Sequence, residues 1–294
     1  MVPDRIWWKK MYVATLRSET DQKLNIHGQG EIGFVQKDET TSLNHLYHHD
    51  PVRIVFPNPL EGEVPQAVIV TTSGGLVGGD RISLDFSTDE GASAMLMAQA
   101  AEKVYRSAGR DCRVDVSVTA GPGAWAEYLP QETILFDGAR LNRTTRIDAG
   151  EEARVLAGEI IVLGRRGSGE VFQEGYLREA WEVRRNGALI WADTLLLEDD
   201  ISTVLGHPAC FDRGAIVATA IYTGEISDDQ LAAIRAEFTG APFRFGVTMV
   251  NGILVVRFIG QDALPVRTAF GKFWQSFRHE TAGLPERLPR LWHI

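Results

Sequence analysis

The sequence predicts a mainly β fold followed by a helical C-terminal part. Three observations carry this. Polar and apolar residues alternate in Arg113-Val114-Asp115-Val116-Ser117-Val118-Thr119 and in Arg81-Ile82-Ser83-Leu84-Asp85-Phe86, the period of a strand with one buried face. Turn chemistry punctuates such runs at Asp89-Glu90-Gly91, Ala120-Gly121-Pro122-Gly123, Asp137-Gly138, Ala149-Gly150 and Asn186-Gly187. After about residue 222 the apolar spacing becomes helical. Many short strands of this kind build a sandwich, a barrel or a coil of strands. No strict internal repeat and no low-complexity linker divides the 294 residues.

Taken in order, the strand-like pattern runs from about residue 11. The segment Met1 to Met11 does not read as a signal peptide, because Lys9-Lys10 interrupts it. The run Ala67-Val68-Ile69-Val70 leads into Thr71-Thr72-Ser73-Gly74-Gly75-Leu76-Val77-Gly78-Gly79-Asp80-Arg81. A strand ending in a glycine cluster indicates positive φ or a second chain close by. Gly74 and Gly79 have phosphate-loop spacing, but Asp80 stands where that motif needs lysine. The loop is therefore glycine-rich for shape. Asp80 is expected to face a cation, an arginine or a partner chain. Ala98 to Arg106 favours helix by propensity, yet it continues the strand-like Met95-Leu96-Met97 without a breaker, so extension of that strand is preferred. Asn186-Gly187 joins Trp181–Arg184 to Leu189–Trp191 as a tight hairpin.

In the C-terminal part, Ser227-Asp228-Asp229-Gln230 has the form of a capping box, with Ile226 and Leu231 as a hydrophobic staple. The helix it starts ends at Gly240. Phe243 to Val250 and Ile253 to Ile259 form a hairpin about Asn251-Gly252, with a type I′ turn. A second helix carries the apolar stripe Val266, Phe270, Phe273, Trp274 and Phe277 and ends at Gly283. The tail contains Pro285 and Pro289 and is not helical throughout. Trp292 in it is expected to dock on the protein's own core or on a partner.

A net charge of −9 argues against a general nucleic-acid or anionic-membrane binder. Cys112 and Cys210 are far apart and form no CxxC. Both read as buried small hydrophobes in a reducing compartment. No run approaches the roughly 20 apolar residues that span a bilayer. The chain is expected to be cytoplasmic. His45, His48, His49 and Asp50 form a local cluster. On a helix His45 and His49 would share a face and could take a divalent metal; the alternative is a polar surface segment before Pro51. His27, His207, His279 and His293 are isolated. Glu102, Glu132, Glu159, Glu170 and Asp193 lie near glycines, prolines or strand ends. Two of them could act as paired carboxylates of a carbohydrate hydrolase or lyase if they approach within about 5–10 Å. The alternative is a solvated or salt-bridged role for each. Arg165-Arg166-Gly167-Ser168-Gly169-Glu170 is a charged turn. These residues alone describe a mostly β interaction protein with no visible catalytic set.

Several segments in order resemble the UreD (UreH) family of urease accessory proteins. They are Thr72 to Arg81, Gln99-Ala100-Ala101-Glu102-Lys103-Val104-Tyr105-Arg106-Ser107, Tyr128-Leu129-Pro130-Gln131-Glu132-Thr133-Ile134-Leu135-Phe136, Leu163-Gly164-Arg165 to Gly169-Glu170, and Pro289-Arg290-Leu291-Trp292. The resemblance covers about residue 30 to the end. The first thirty residues and the His45–Asp50 cluster match no motif of the family. The resemblance implies one UreD-like domain over 1–294, with a coil-like, β-helix-like stack to about 222 and a helix-hairpin-helix part over 223–294. It implies no enzyme activity and no tightly bound cofactor. It implies a scaffold on apo-urease that works with UreF and the GTPase UreG, where GTP binds the partner and nickel(II) is handled in passage. Asp80, Glu102, Glu132, Glu170 and Asp193 are the candidate acids of a transient nickel path. Ser73, Gly74, Gly75, Gly79, Arg106, Pro130, Gln131, Arg165 and Trp292 are candidates for partner binding or for holding the motifs in shape. The Phe270–Trp274–Phe277 stripe is a further candidate contact, with half of it packed inward.

Overall fold

The computed structural model describes residues 26–293; the segment before residue 26, where the strand-like reading and the signal-peptide question began, lies outside the described residues. Among the described residues, seventeen strands form two sheets. In chain order they are β1 (His27–Lys37), β2 (Thr40–His49), β3 (Val52–Val55), β4 (Gln66–Thr71), β5 (Arg81–Thr88), β6 (Ser93–Ala98), β7 (Glu102–Val104), β8 (Cys112–Ala120), β9 (Trp125–Leu129), β10 (Thr133–Leu135), β11 (Arg140–Ala149), β12 (Arg154–Leu163), β13 (Tyr176–Arg185), β14 (Ala188–Leu197), β15 (Ile216–Tyr222), β16 (Arg244–Val250) and β17 (Ile253–Gly260). Sheet one runs β14-β13-β11-β8-β5-β1-β2, and sheet two runs β16-β17-β15-β12-β9-β6-β4-β3. Short β7 pairs with β10, and β10 with β12, along a third side.

The chain visits these sides in rotation, so the predicted stack is a coil. β5, β6 and β7 make one circuit, and β8, β9 and β10 make the next. Arg81 lies beside Arg113, Arg113 beside Asn142, and Asn142 beside Arg178, all in parallel pairing. The predicted turns are successive corners of this coil. Gly91 N–H donates to Pro122 O at 2.9 Å, Gly123 N–H to Glu151 O at 2.9 Å, and Asn186 N–H to Ala149 O at 3.0 Å. Buried Ala92, Ala124 and Ala153 stack beneath them. The rungs are joined by circuits of unequal length, which hides the repeat from the sequence.

The Ala98–Arg106 segment follows the strand preference, with β6 ending at Ala98 and β7 covering Glu102–Val104. Asn186 (φ 49°) and Gly187 (φ 79°), like Asn251 (φ 50°) and Gly252 (φ 75°), take the two positive φ values of a type I′ turn. His45, His48 and His49 lie on strand β2, so the helical premise of the metal reading fails. Cys112 is buried but Cys210 is exposed, which corrects half of the cysteine expectation.

Among the described residues there are three α-helices, one between β14 and β15 and two after β15. α1 (Ile201–Gly206) is not foreseen by the sequence reading. α2 (Asp228–Glu237) begins at the predicted capping box, with Ser227 Oγ accepting from Gln230 N–H and Gln230 reaching back to Ser227 N–H. α3 (Ala263–Ala282) ends at Gly283 in the left-handed conformation. Its stripe Val266, Phe270, Phe273, Trp274 and Phe277 is wholly buried on the outer face of sheet two. No half of that stripe remains for a partner. Gly158 makes room for it: a Cβ there would come within 2.7 Å of the Phe270 ring and 3.1 Å of Trp274. Sheet two is therefore buried on both faces, inward against sheet one and outward against α3.

One polar knot fixes α3 to the sheet. Arg278 and Glu127 are fully buried. Glu127 accepts from Trp274 Nε1 at 2.8 Å, Trp125 Nε1 at 3.0 Å and Arg278 Nη2 at 3.0 Å. Arg278 also pairs with Glu63 at 2.8 Å. Removing one side of such a pair leaves a buried charge without its partner. Arg278→Ala is therefore expected to cost about 3–5 kcal/mol, read from urea unfolding. A cost under about 1 kcal/mol would contradict the role assigned to the knot.

Candidate functional site

The interior between the two sheets is mostly aliphatic and alanine-rich. One layer of it is polar. Residues on neighbouring strands that share a rung also share a face, so pairing shows which polar groups meet inside. Glu102 on β7 lies beside Thr133 on β10. Thr133 Oγ1 accepts from Arg143 Nη1 at 2.8 Å. Arg143, on β11, donates through Nε to Glu179 on β13 at 2.6 Å and through Nη2 to Glu159 on β12. Glu159 accepts from Trp181 Nε1 at 3.1 Å and sits beside Thr219 on β15. Thr219 lies beside Arg257 on β17, and Arg257 pairs with Asp193 on β14. The row thus crosses the interior from the third side of the coil to the side where β14 and β17 meet through Asp193 and Arg257.

At its first end the row meets a cavity of about 200 Å³. Glu102, Tyr128, Thr133 and Arg143 line it, and it reaches exposed Gly74, Gln99 and Ala100. At the other end Asp193 and Arg257 are half-exposed. Burial raises the Glu102 carboxyl above its ordinary range, with Thr71, Lys103 and Arg143 opposing it. Burial also raises Glu179 well above its ordinary value, and the neighbouring Glu159 charge adds to this while Arg143 opposes it. Glu179 Oε1 has no hydrogen-bond partner among the described residues. Burial works against the Arg143 charge, but Glu159 and Glu179 outweigh it and hold the guanidinium protonated. The Tyr128 hydroxyl is pushed up by the same burial, and the Cys112 thiol is pushed up to about 12. The row therefore offers more carboxyl groups than arginines, and two of them are held toward the neutral form.

The motif segments noted in the sequence form the wall beside this cavity. Leu76 bridges to Val104, Val104 pairs with Leu135, and Leu135 pairs with Leu163. All four are buried and occupy one corner of successive circuits. Tyr105 packs edge-on to Phe136 at 4.8 Å, and the Arg165 guanidinium covers Phe136 at 4.5 Å. Arg106 pairs with Asp137 at 2.7 Å. Ser73 Oγ donates to Gly75 O at 2.9 Å, and Tyr105 hydroxyl donates to Gly74 O at 3.0 Å. At Gly79 (φ 103°) a Cβ would come within 2.7 Å of the Arg110 guanidinium. Trp292 docks on its own chain, stacked on Phe270 at 6.1 Å with Arg267 over its ring. Gln131 joins that tail to the cavity wall, donating to Leu291 O at 2.9 Å and accepting from Arg267 at 2.8 Å. Pro130 lines the cavity next to it.

The five candidate acids separate. Glu102 and Asp193 lie at opposite ends of the polar row. Asp80 has a local structural use: its oxygens accept from Val77 N–H at 2.8 Å and Ile26 N–H at 3.2 Å, anchoring the glycine loop to the residue just before β1. Glu132 pairs with Arg267. Glu170 accepts from Asp137 N–H at 2.7 Å and Arg165 Nε at 2.9 Å, contacts that hold its carboxyl below the ordinary range. Arg143, Glu179, Thr133 and Tyr128 are site residues that the sequence reading did not single out, and Glu159 was weighed there only as an acid. Glu159 carried a signal: it is the only ionisable group in Val155-Leu156-Ala157-Gly158-Glu159-Ile160-Ile161-Val162-Leu163. Glu159 and Glu179 are buried and both ion-paired to Arg143, so they face no groove for a sugar chain. Among the described residues, no three His, Cys, Asp or Glu groups are already arranged around a metal position.

The family model for the UreD urease accessory protein matches residues 27–293. The chain belongs to the UreD family. A urease accessory protein UreD of Magnetococcus marinus is 42% identical over 286 residues, 96% of this chain and 99% of that protein. A UreD of Rhodopseudomonas palustris is 40% identical over 242 residues, 81% of this chain and 83% of the relative. One of Granulibacter bethesdensis is 39% identical over 240 residues, 81% of this chain and 99% of the relative. The UreD match spans both the coil and the helices packed on it. No described helix is long and apolar enough to cross a membrane.

Two outcomes follow from the site. At Gly75 (φ 144°) a Cβ would lie 2.5 Å from the Tyr105 ring and 2.9 Å from Lys103 O. Gly75→Val is expected to cost about 1–3 kcal/mol or more through overpacking and backbone strain, seen as a lowered melting temperature. For Glu179 the folded state keeps its proton to higher pH than the unfolded chain does. Its contribution is therefore fully present below the ordinary value of 4.5 and is lost as pH rises through the raised folded value. Glu179→Gln should flatten the fall in melting temperature on raising the pH above about 4.5. An unchanged slope would contradict the assignment.

Proposed function

We propose that this UreD-family chain is a non-catalytic scaffold in urease maturation, and that its interior polar row is a passage for nickel(II) toward apo-urease. The observation that carries this is the row itself. Carboxyl groups in an aliphatic interior are costly, and this set runs from an open cavity to the opposite edge of the coil. Nickel(II) suits borderline and hard ligands, and a passage must hold the ion weakly enough to release it. Carboxylates and water meet that need better than a closed thiolate site. Glu102 would receive the ion at the cavity, Glu159 and Glu179 would take it past Arg143, and Asp193 would receive it at the far edge. An entering dication would favour ionisation of Glu102 and Glu179, which burial now disfavours.

The partners in this reading are a UreF-type accessory protein, a UreG-type GTPase and the urease apoprotein. Asp80 in place of a phosphate-loop lysine supports placing GTP on a partner. The chain would work in the cytoplasm, where apo-urease is made.

Coexpression tests the reading. Urease, nickel and the partner proteins should give active enzyme only with this chain present. Glu102→Gln and Asp193→Asn should each lower activation at limiting nickel by about tenfold, an effect of roughly 1.4 kcal/mol, while leaving melting temperature and complex formation unchanged. Full activation by the double variant would overturn the passage. Activation without the chain would overturn the scaffold role as well.

A further inference from the structure

Strand β2 ends sheet one, and among the described residues no further strand pairs with its free edge. Natural edge strands are kept from pairing by charge, proline, shortness, bulges or cover. β2 is ten residues long, Thr-Thr-Ser-Leu-Asn-His-Leu-Tyr-His-His, with no Asp, Glu, Lys, Arg or Pro. Its partner is β1, and among the described residues no backbone group of Thr40–His49 hydrogen-bonds beyond that pairing. One bulge interrupts the register, where Gly33 pairs with His45 and Phe34 with Leu43, so Asn44 is the extra residue.

The bulge has a consequence for the side chains. Leu43 lies beside Phe34 and Leu46 beside Ile32, so both leucines point to the inner side of the sheet. Phe34 and Ile32 are each 2% exposed, whereas Leu43 is 41% and Leu46 is 40% exposed. Sheet two ends at the four-residue β3 and leaves β2 overhanging. An added strand would complete the backbone pairing and cover both leucines at once.

We propose that the occupant is a second copy of this chain, paired antiparallel through β2 about a two-fold axis. The strand complements itself. With the extra residue at Asn44, a two-fold register sets Leu43 of each copy opposite Leu46 of the other. Ser42 then lies opposite Tyr47, and Thr41 opposite His48. Facing residues fall on the same side of the joined sheet, as cross-strand pairs must. The chain carries a net charge of −9, but this strand contains no Asp, Glu, Lys or Arg, so the pairing sets no like charges of those residues opposite one another. Such an isologous contact closes at two copies.

Sedimentation velocity of the purified full chain at neutral pH, over a concentration series, tests this. A reversible monomer–dimer equilibrium is expected. Leu46→Lys and Leu43→Asp should each raise the dimer dissociation constant by about tenfold or more, with circular dichroism and melting temperature unchanged because both side chains are half-exposed. Mixing the two variants should restore a dimer, because the new ammonium of one faces the new carboxylate of the other. A chain that stays monomeric at every concentration overturns the proposal. So does a dimer that survives both substitutions, a mixture that fails to pair, or association seen only when a different protein is added. None of these results bears on nickel passage, so the two readings fail separately.

Discussion

Arg143 held between Glu159 and Glu179 is the constraint on which the interior depends. A guanidinium in an aliphatic space is tolerated only when carboxylates and hydroxyls surround it. Those partners come from β12, β13 and β10, so the three sides of the coil must close on one point. The alanines and small aliphatics above and below let them do so. One consequence is an interior whose buried ion pairs lie in a single layer, with mostly apolar packing elsewhere. The same layer holds more carboxyls than its arginines neutralise, and burial keeps two of them toward the protonated form.

The shell around that layer explains the rest of the molecule. Leu76, Val104, Leu135 and Leu163 build one wall by repeating a single position of the coil. The glycine loop lies at the start of that wall, and Asp80 secures it to Ile26, just before β1. The tail lies across the same region through Gln131, Arg267 and Trp292. Helix α3 is fastened from outside by Glu127 and Arg278, a second buried ion pair on the other face of sheet two. Two separate polar knots, one on each face, thus fix a largely apolar sheet.

Much of this was legible in the sequence where the signal is local. Alternation marked β5 and β8, glycine and asparagine marked the turns, and the capping box at Ser227 marked α2. The stacking of the turns was not legible, because circuits of unequal length leave no fixed period. α1 was too short for a helical period to emerge, although Asp200 caps it through Thr203. Within the site, Glu102 stood out by its motif and Asp193 by its place at a strand end. Arg143 and Glu179 did not, since β11 and β13 each carry several charges, and one that faces the interior looks the same in sequence as one that faces water. Only the pairing of β11 with β13, and the closure of sheet two over both, distinguishes the two cases. Asp80 shows the converse: a conspicuous acid in a glycine loop has a local structural use that sequence alone does not separate from ion binding.

The central claim is that the interior polar layer accepts a dication. Anomalous diffraction at the nickel absorption edge, from crystals of the chain exposed to nickel(II), addresses it most directly. The account predicts an anomalous peak inside the coil, between Glu102 and the Glu159–Glu179 pair. Nickel found only on surface groups such as the β2 histidines, with that layer unchanged, would contradict it.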